Sequence, residues 1–351
     1  MKHYIAHILR CFVLFAFVVA STACSSVATP SSSVATPTTE SIRVALVLSG
    51  SAADGGWGSA GVEGLRKLRD LHGAEIDYTE VSAYTGAEAL PDDWAQAFKK
   101  YAEDGYDIIF AHGRWFDGLI AEISPNYPDV RFVVTGGNGS GPNYASVTLK
   151  NEEAGYLLGI IAGMLTKNGK IGVVVGTQLR PVMSTAEAFA DGVKAINPNI
   201  ELYQRVLEDQ GPDNPDKHLN NQDGANDVTQ ELVDEGVDLL FLHATAANIG
   251  AIKIAKEHNI PVLNYGKDLT NIAPGIVIAN GLQIIPATME VMLKNYKENS
   301  FENKNYLMGL KEGAVDLSPL SVEYIPSDIQ EKVKEVEQGL IDGTIKLESQ
   351  R

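Results

Sequence analysis

The stretch from Ile42 to Gly64 reads IRVALVLSGSAADGGWGSAGVEG. Ile42 to Leu48 is almost wholly apolar and rich in branched residues, which is typical of a strand buried on both faces of a parallel sheet. A loop of small residues follows this strand, and a helical pattern begins at Trp57. In open α/β sheets, ligands bind beyond the carboxyl ends of the strands. The sequence therefore predicts that this loop forms one wall of a binding cleft.

The same loop contains a possible dinucleotide fingerprint. Gly56, Gly58 and Gly61 match G-x-G-x-x-G, and Glu80 follows about twenty residues later. In a true fingerprint the first glycine follows the strand almost directly, so that the pyrophosphate reaches the N-terminus of the helix. Here a longer loop intervenes, and Asp54 would place a carboxylate beside the phosphates. A tight turn between strand and helix explains the glycines better.

Composition indicates a globular protein that does not bind nucleic acid. The 351 residues are 44% hydrophobic and 21% charged, with a net charge of -17. Binding to nucleic acid phosphates requires clustered Lys and Arg, which this acidic chain lacks. No G-x-S-x-G elbow, P-loop or H-E-x-x-H motif is present. We therefore expect no catalytic residues, no cofactor and no metal.

The first residues have the pattern of an export signal. A basic start precedes a short apolar core at Cys11 to Ala20, and small residues lead to Cys24. This resembles the bacterial lipoprotein signal, with 1–23 removed and Cys24 lipidated; an ordinary signal peptide with an incidental cysteine is the alternative. Residues 24–41 are rich in Ser, Thr and Pro, which indicates a flexible tether. The prediction is an extracytoplasmic protein that is lipid-anchored to the cell membrane.

Beyond the tether, strand-like and helix-like segments alternate, which predicts two α/β lobes with parallel sheets. The predicted strands are 42–48, 75–81, 107–113, 131–136, 145–149, 170–176, 200–207, 238–244, 261–266 and 275–280. The predicted helices are 57–72, 91–104, 116–127, 152–167, 182–196, 226–236, 247–258, 286–299 and 327–342. We also expect a strand pair at Tyr306–Leu310 and Ala314–Leu317, a surface loop at 208–227, and Ser327 as the N-cap of the last helix.

Several segments, in this order and spacing, resemble the basic membrane protein family, also called purine nucleoside receptor A-type lipoproteins. They include DGGWGSAGVEGL (54–65), NEEAGYLLGIIAGMLTKNGKIGVVVG (151–176) and MGLKEGAVDLSPL (308–320). The sequences of these segments are most similar to those of the nucleobase-binding branch of the family. The resemblance implies a type I periplasmic-binding-protein fold with two Rossmann-like lobes, a hinge and a central ligand cleft. It also implies the substrate-binding component of an ABC importer.

This fold divides the chain into an N-terminal lobe, 42–150, completed by part of 284–320, and a C-terminal lobe, 151–283, completed by 321–351. Several polar residues that grip ribose in relatives are replaced here. Gly58 occupies a position where many relatives have Asn, and Gly136 and Gly266 occupy positions where relatives have Asp. Asp268 follows Gly266 two residues later. Gln283 aligns approximately with a cleft Lys. These replacements favour a purine base over a nucleoside as the ligand.

Two tryptophans are the leading candidates for ligand contact. Trp57 and Trp115 each follow a strand end, where an indole can stack on a heterocycle. Phe116 is a candidate for the same role, although packing against the sheet explains it equally well. Trp94 lies on the apolar face of a helix and is expected in the core.

Polar and glycine candidates complete the predicted site. His112 and His243 end one strand in each half, and a neutral imidazole offers one donor and one acceptor to a purine edge. A structural role is the alternative for a lone histidine. Asp268 could grip a ligand donor or cap a turn. Gly136 and Gly137 would allow backbone N–H groups to approach the ligand.

We therefore expect a membrane-tethered, monomeric substrate-binding lipoprotein that closes two lobes on a purine base or nucleoside and delivers it to an ABC permease. Two alternatives remain open. One is a ligand sensor for a different small molecule, such as riboflavin or a sugar. The other is an extracytoplasmic nucleoside-processing enzyme.

Overall fold

A computed structural model describes residues 41–54, 56–82, 91–207 and 218–347 of the chain. The predicted signal segment, Cys24 and the predicted tether up to residue 40 lie outside the described residues, as does the first half of the predicted surface loop, 208–217. No helix among the described residues combines the length and the apolar character needed to cross a membrane.

The described residues form two six-stranded sheets. The strands are β1 Arg43–Ser49, β2 Glu75–Val81, β3 Ile108–His112, β4 Arg131–Thr135, β5 Tyr144–Leu149, β6 Lys170–Val175, β7 Glu201–Val206, β8 Leu239–His243, β9 Val262–Gly266, β10 Val277–Gln283, β11 Asn305–Met308 and β12 Val315–Leu317. Parallel strands in the order β11-β5-β4-β3-β1-β2 make sheet 1, and sheet 2 has the order β12-β10-β9-β8-β6-β7. Among these described strands, β12 alone runs antiparallel to its neighbour. The predicted α/β fold is confirmed.

The helices cover both faces of each sheet. They are α1 Trp57–His72, α2 Asp92–Glu103, α3 Asp117–Ile123, α4 Asn151–Leu165, α5 Arg180–Ile196, α6 Gln222–Asp234, α7 Asn248–Glu257, α8 Ile285–Lys297 and α9 Ser327–Ile341. Side chains of β1 alternate between two cores: Leu46 and Leu48 face α1, whereas Val47 joins the cluster beneath α2 and α3. The first cluster continues through α4, α5 and α9 under sheet 2, so one apolar core connects both lobes.

Glycines allow α4 and α5 to pack with their backbones in contact. A Cβ at Gly159 would collide with the carbonyl oxygen of Phe189, and one at Gly192 would collide with that of Tyr156. Gly155 repeats the pattern one turn away, where a Cβ would lie 2.6 Å from the carbonyl oxygen of Thr185. Every fourth residue of α4 is therefore small because no side chain fits between the helices.

Three crossings join the lobes, and hydrogen bonds connect them to one another. The chain leaves sheet 1 after β5, returns after β10, and crosses again between β11 and β12. Lys150 N donates to Met308 O at 2.9 Å, and Ile284 N donates to Ala314 O at 2.8 Å. The buried carboxylate of Glu153 accepts from Leu310 N at 2.8 Å. The crossings therefore form one hydrogen-bonded hinge.

Three details of the sequence prediction were wrong. The tail strands β11 and β12 do not pair with each other but extend sheets 1 and 2 separately, because the turn between them is a lobe crossing. Ser327 is the first residue of α9, which follows Pro326 without a side-chain cap. The helix predicted at 226–236 begins at Gln222, inside the predicted loop, where the Asn221 side chain accepts from Gly224 N.

We predict that Gly159→Ala lowers the free energy of unfolding by roughly 1–3 kcal/mol, because the added methyl group overpacks the α4–α5 contact. The matched control is Gly118→Ala on α3, where an added Cβ meets no atom within 4 Å. This control should stabilise the protein slightly through helix propensity. Urea denaturation of both variants checks the prediction, and equal effects of the two substitutions would contradict it.

Candidate functional site

The carboxyl end of β1 leads into α1 through a loop that Asp54 holds. Its carboxylate accepts from Gly56 N at 2.8 Å, Gly58 N at 2.8 Å and Ser59 N at 3.0 Å. These N–H groups of the first helical turn have no partner within the helix. The protein's own carboxylate therefore occupies the place that a phosphate would take. The carboxylate of Glu80 accepts from Ala52 N in the same loop. The geometry thus argues against the dinucleotide alternative.

His112 holds Trp57 at the start of α1. The rings stack with centroids 4.4 Å apart and an angle of 8° between their planes. The imidazole Nε2 donates to the Trp57 carbonyl oxygen at 2.8 Å. A Cβ at Gly61 would lie 2.8 Å from the imidazole, so the third glycine of the pattern makes room for this ring. Trp57 itself is half-buried, and its indole lies against Gly136, whose Cβ position is 3.5 Å from Cζ2.

The loop after β4 lies beside the Trp57 loop at the carboxyl edge of sheet 1. Gly136 has φ +81°, a left-handed conformation that favours glycine. Asp117 holds the residues that follow, because its carboxylate accepts from Asn138 N at 2.8 Å and Gly139 N at 3.1 Å. A Cβ at Gly137 would lie 2.8 Å from the same carboxylate. The sequence prediction included both glycines but not Asp117, which looks like an ordinary first-turn acid.

Trp115 and Phe116 follow β3 in a short 3₁₀ turn, and the structure places them differently. Trp115 is half-buried, with the Arg114 guanidinium 5.1 Å from its ring. Phe116 is fully buried and packs edge-on against Trp94 and Phe98. In this arrangement Phe116 belongs to the apolar core, the alternative weighed for it from sequence. Trp94 is buried, as expected.

His243 occupies the position in sheet 2 that His112 has in sheet 1. Each ends the third strand of its lobe and lies beside the first strand: His112 is paired with Leu48, and His243 with Val175. The His243 ring packs at 4.5 Å against Tyr265, whose hydroxyl donates to Asn151 Oδ1. The Nδ1 atoms of both histidines are buried without a hydrogen-bond partner.

A chain of buried amides shapes the edge of sheet 2. Asn248 Nδ2 donates to Asn264 Oδ1 at 2.7 Å, and Asn264 Nδ2 donates to Asn280 Oδ1 at 3.0 Å. Asn280 Nδ2 in turn donates to Asp268 Oδ1 at 3.0 Å. Asp268 also accepts from Thr270 N, so one of its oxygens already stabilises the exposed loop after β9. The three asparagines were missed from sequence because each reads as an isolated strand or helix residue.

Burial keeps both histidines neutral. It lowers the pKa of His112 from 6.5 to about 4, opposed by the hydrogen bond to the Trp57 backbone. It lowers the pKa of His243 from 6.5 to about 3, and a hydrogen bond with the Val182 backbone opposes this shift only in part. Both rings therefore act as neutral groups at physiological pH. The described residues contain no group of three or more potential metal ligands.

Comparison with known proteins identifies the family. The family model "ABC transporter substrate-binding protein PnrA-like", named Bmp, matches residues 41–351. The chain belongs to the Bmp family. It is therefore an ABC transporter substrate-binding protein, a class that works outside the cytoplasm, and the predicted family is confirmed.

Individual relatives are distant but cover most of the chain. A purine-binding protein of Brucella abortus is 22% identical over 312 residues, which are 87% of this chain and 83% of that protein. The transcriptional activator protein med of Bacillus subtilis is 20% identical over 277 residues, covering 79% of this chain and 81% of the relative.

Solved structures show the same fold. A transcriptional activator of the comK gene from Bacillus halodurans superposes with a TM-score of 0.73 at 22% identity, covering 86% of this chain and 97% of that one. A solute-binding protein of an ABC transporter system from Conexibacter woesei has a TM-score of 0.71 at 21% identity, covering 88% and 99%. These neighbours confirm the predicted periplasmic-binding-protein fold.

The neutral histidines predict an acid-dependent loss of stability. Between pH 6.5 and about 4 the unfolded chain binds protons at His112 that the folded Bmp protein does not bind. The free energy of unfolding should therefore fall as the pH decreases through this window, and these groups should contribute no slope above it. Urea denaturation at about pH 7.5 and about pH 5 measures the loss. The loss should be smaller in His112→Gln, and an equal loss would contradict the assignment.

Proposed function

We propose that this Bmp protein binds a purine base between its two lobes and presents it to an ABC permease. The observation that supports this most is the half-buried indole of Trp57, stacked on His112 at the carboxyl edge of sheet 1. A planar heterocycle can extend such a stack, which is commonly worth about 1–3 kcal/mol per base. The purine-binding relative from Brucella abortus supports the same ligand class.

The remaining contacts are proposed from the loops at the two edges. On sheet 1, Trp115 would offer a second aromatic surface, and the Gly136–Gly137 loop would offer backbone groups. On sheet 2, Asp268 would accept from a ligand donor. His112 and His243 would tune the site from beneath, because their Nδ1 atoms are buried in this arrangement.

A base suits this edge better than a nucleoside. Gripping ribose hydroxyls takes carboxylates or amides that have acceptor atoms available. Asp54 already accepts three backbone N–H groups, and Asp268 uses Oδ1 for the loop after β9, so Asp268 has only its other oxygen for a ligand donor. The aromatic contact therefore provides most of the proposed binding energy.

A thermal-shift screen of bases, nucleosides, riboflavin, sugars and amino acids tests the ligand class. We expect purine bases to raise the melting temperature most, because a ligand at about 100 times its Kd stabilises a protein by roughly 2.7 kcal/mol. Trp57→Ala should weaken binding about 5- to 150-fold through loss of the stack. Trp94→Phe, in the core, is the control for lost stability alone. A shift produced only by another ligand class would refute the purine assignment.

A sensor role is the second candidate, because two relatives are named as transcriptional activators. The net charge of -17 does not suit direct contact with DNA, so such a role would act through a partner protein. An enzymatic role is tested with the same samples. Incubation with inosine, followed by chromatography for free base, should show no release by the pure protein.

Lipid anchoring through Cys24 is also proposed. A lipidated Cys24 followed by the tether to residue 41 would keep the monomeric binding domain close to its permease. We predict that cells incorporate labelled palmitate into the wild-type protein and not into Cys24→Ser, which should be released from the membrane fraction. Release of the wild-type protein without label would indicate an ordinary cleaved signal instead.

A further inference from the structure

Thr245 has a backbone conformation that its side chain disfavours. It has φ +52°, and the other non-glycine residues with positive φ among those described are Asn259 at +54° and Asn299 at +53°. Asparagine tolerates the left-handed region, whereas a β-branched residue there is an outlier. Such outliers persist only when the surroundings impose them, and they cluster at ligand sites and switches.

Buried hydrogen bonds on both sides of Thr245 impose this conformation. Ala244 N donates to Asn248 Oδ1 at 2.7 Å, and Ala247 N donates to Ala244 O at 3.1 Å. Asn248 is itself fixed by its bond to Asn264, within the amide chain that also holds the Asp268 loop. The turn after β8 and the loop after β9 are therefore held by one hydrogen-bonded network. Because this network fixes the residues on both sides of Thr245, it imposes the positive φ on Thr245.

The side chain of Thr245 is exposed and lies where the two lobes meet. Thr245 comes two residues after the end of β8, at the carboxyl edge of sheet 2. A Cβ built on Gly56 would lie 3.2 Å from Thr245 Cγ2. Gly56 belongs to the loop of sheet 1 that directly precedes Trp57. The strained residue of one lobe thus touches the loop that positions the main aromatic candidate of the other.

We propose that Thr245 is a specificity residue of the second lobe, whose hydroxyl hydrogen-bonds the polar edge of a base stacked on Trp57 while its methyl packs on Gly56 in the closed form. The ligand contact rests on the proposed function, whereas the contact between lobes does not. Backbone strain is retained at this position because it directs the threonine side chain into the space between the two lobes.

Three variants and one matched control test the proposal by urea denaturation and by calorimetric titration with hypoxanthine. Thr245→Gly should raise the urea midpoint by relieving strain, yet weaken hypoxanthine binding about 10-fold through loss of one hydrogen bond. Thr245→Ser, which keeps the hydroxyl, should bind within about 3-fold of wild type, and Thr245→Ala should bind as weakly as the glycine variant. Asn259→Gly, with the same φ and no place in the space between the two lobes, should change neither quantity appreciably.

A purely structural threonine would give a different result, because stability and affinity would then fall together or affinity would not change. Either outcome overturns the proposal, as does failure of Thr245→Ser to retain binding. Gain of stability with loss of affinity is the expected signature.

A crosslink tests the lobe contact without any ligand. In full-length mature protein with Cys24→Ser, the pair Gly56→Cys and Thr245→Cys should form a disulfide on mild oxidation. A Cβ built on Gly56 lies 3.2 Å from Thr245 Cγ2, a position that the sulfur of a cysteine at 245 can occupy, so the two thiols come within reach of each other. The two single-cysteine variants are the controls. Without a crosslink the lobe contact is refuted. A crosslink in a protein that hypoxanthine does not stabilise would instead refute the proposed function and the hydroxyl contact, and leave the lobe contact established.

Discussion

Both sheets of this protein are covered by helices on both faces, and that constraint determines where function can reside. Strands such as β3 and β8 are buried along their whole length, so their side chains do not reach solvent. The carboxyl ends of the parallel strands are the places where polar and aromatic side chains come together at an accessible edge. Trp57, Trp115, Thr245 and Asp268 all follow strand ends.

Each edge is rigid for a different reason. On sheet 1 a carboxylate and an imidazole hold the first turn of α1, so that the protein itself fixes the orientation of the Trp57 indole. On sheet 2 the amide chain from Asn248 to Asn280 connects two loops through buried donors and acceptors. A fully satisfied polar network in a low-dielectric interior specifies one arrangement, because each broken bond leaves a costly unpaired group. Preorganised loops on both sides reduce the ordering cost of ligand binding.

The equivalent positions of His112 and His243 show how a repeated architecture acquires different roles. Both residues end the third strand of a lobe, and both rings are neutral. His112 stacks on a tryptophan, whereas His243 contacts Tyr265, whose hydroxyl reaches Asn151 at the hinge. The first lobe uses its histidine to support the indole of Trp57, and the second connects its histidine to the crossing segment.

The sequence by itself determined the alternation of strands and helices, the bounds of elements such as α1 and β2, and the family, because these depend on local periodicity and on ordered motifs. The location of Trp57 and the loop glycines at the carboxyl edge of sheet 1 was also predictable, since a residue just past a buried strand must reach the edge of the sheet. Only the tertiary structure decided which polar groups are already engaged. Asp54 and Asp268 stabilise their own loops, Phe116 packs in the core, and the tail strands join different sheets. The positive φ of Thr245 was equally invisible in sequence, because the bond from Ala244 N to Asn248 imposes it, and Asn248 is itself fixed by Asn264 of another strand.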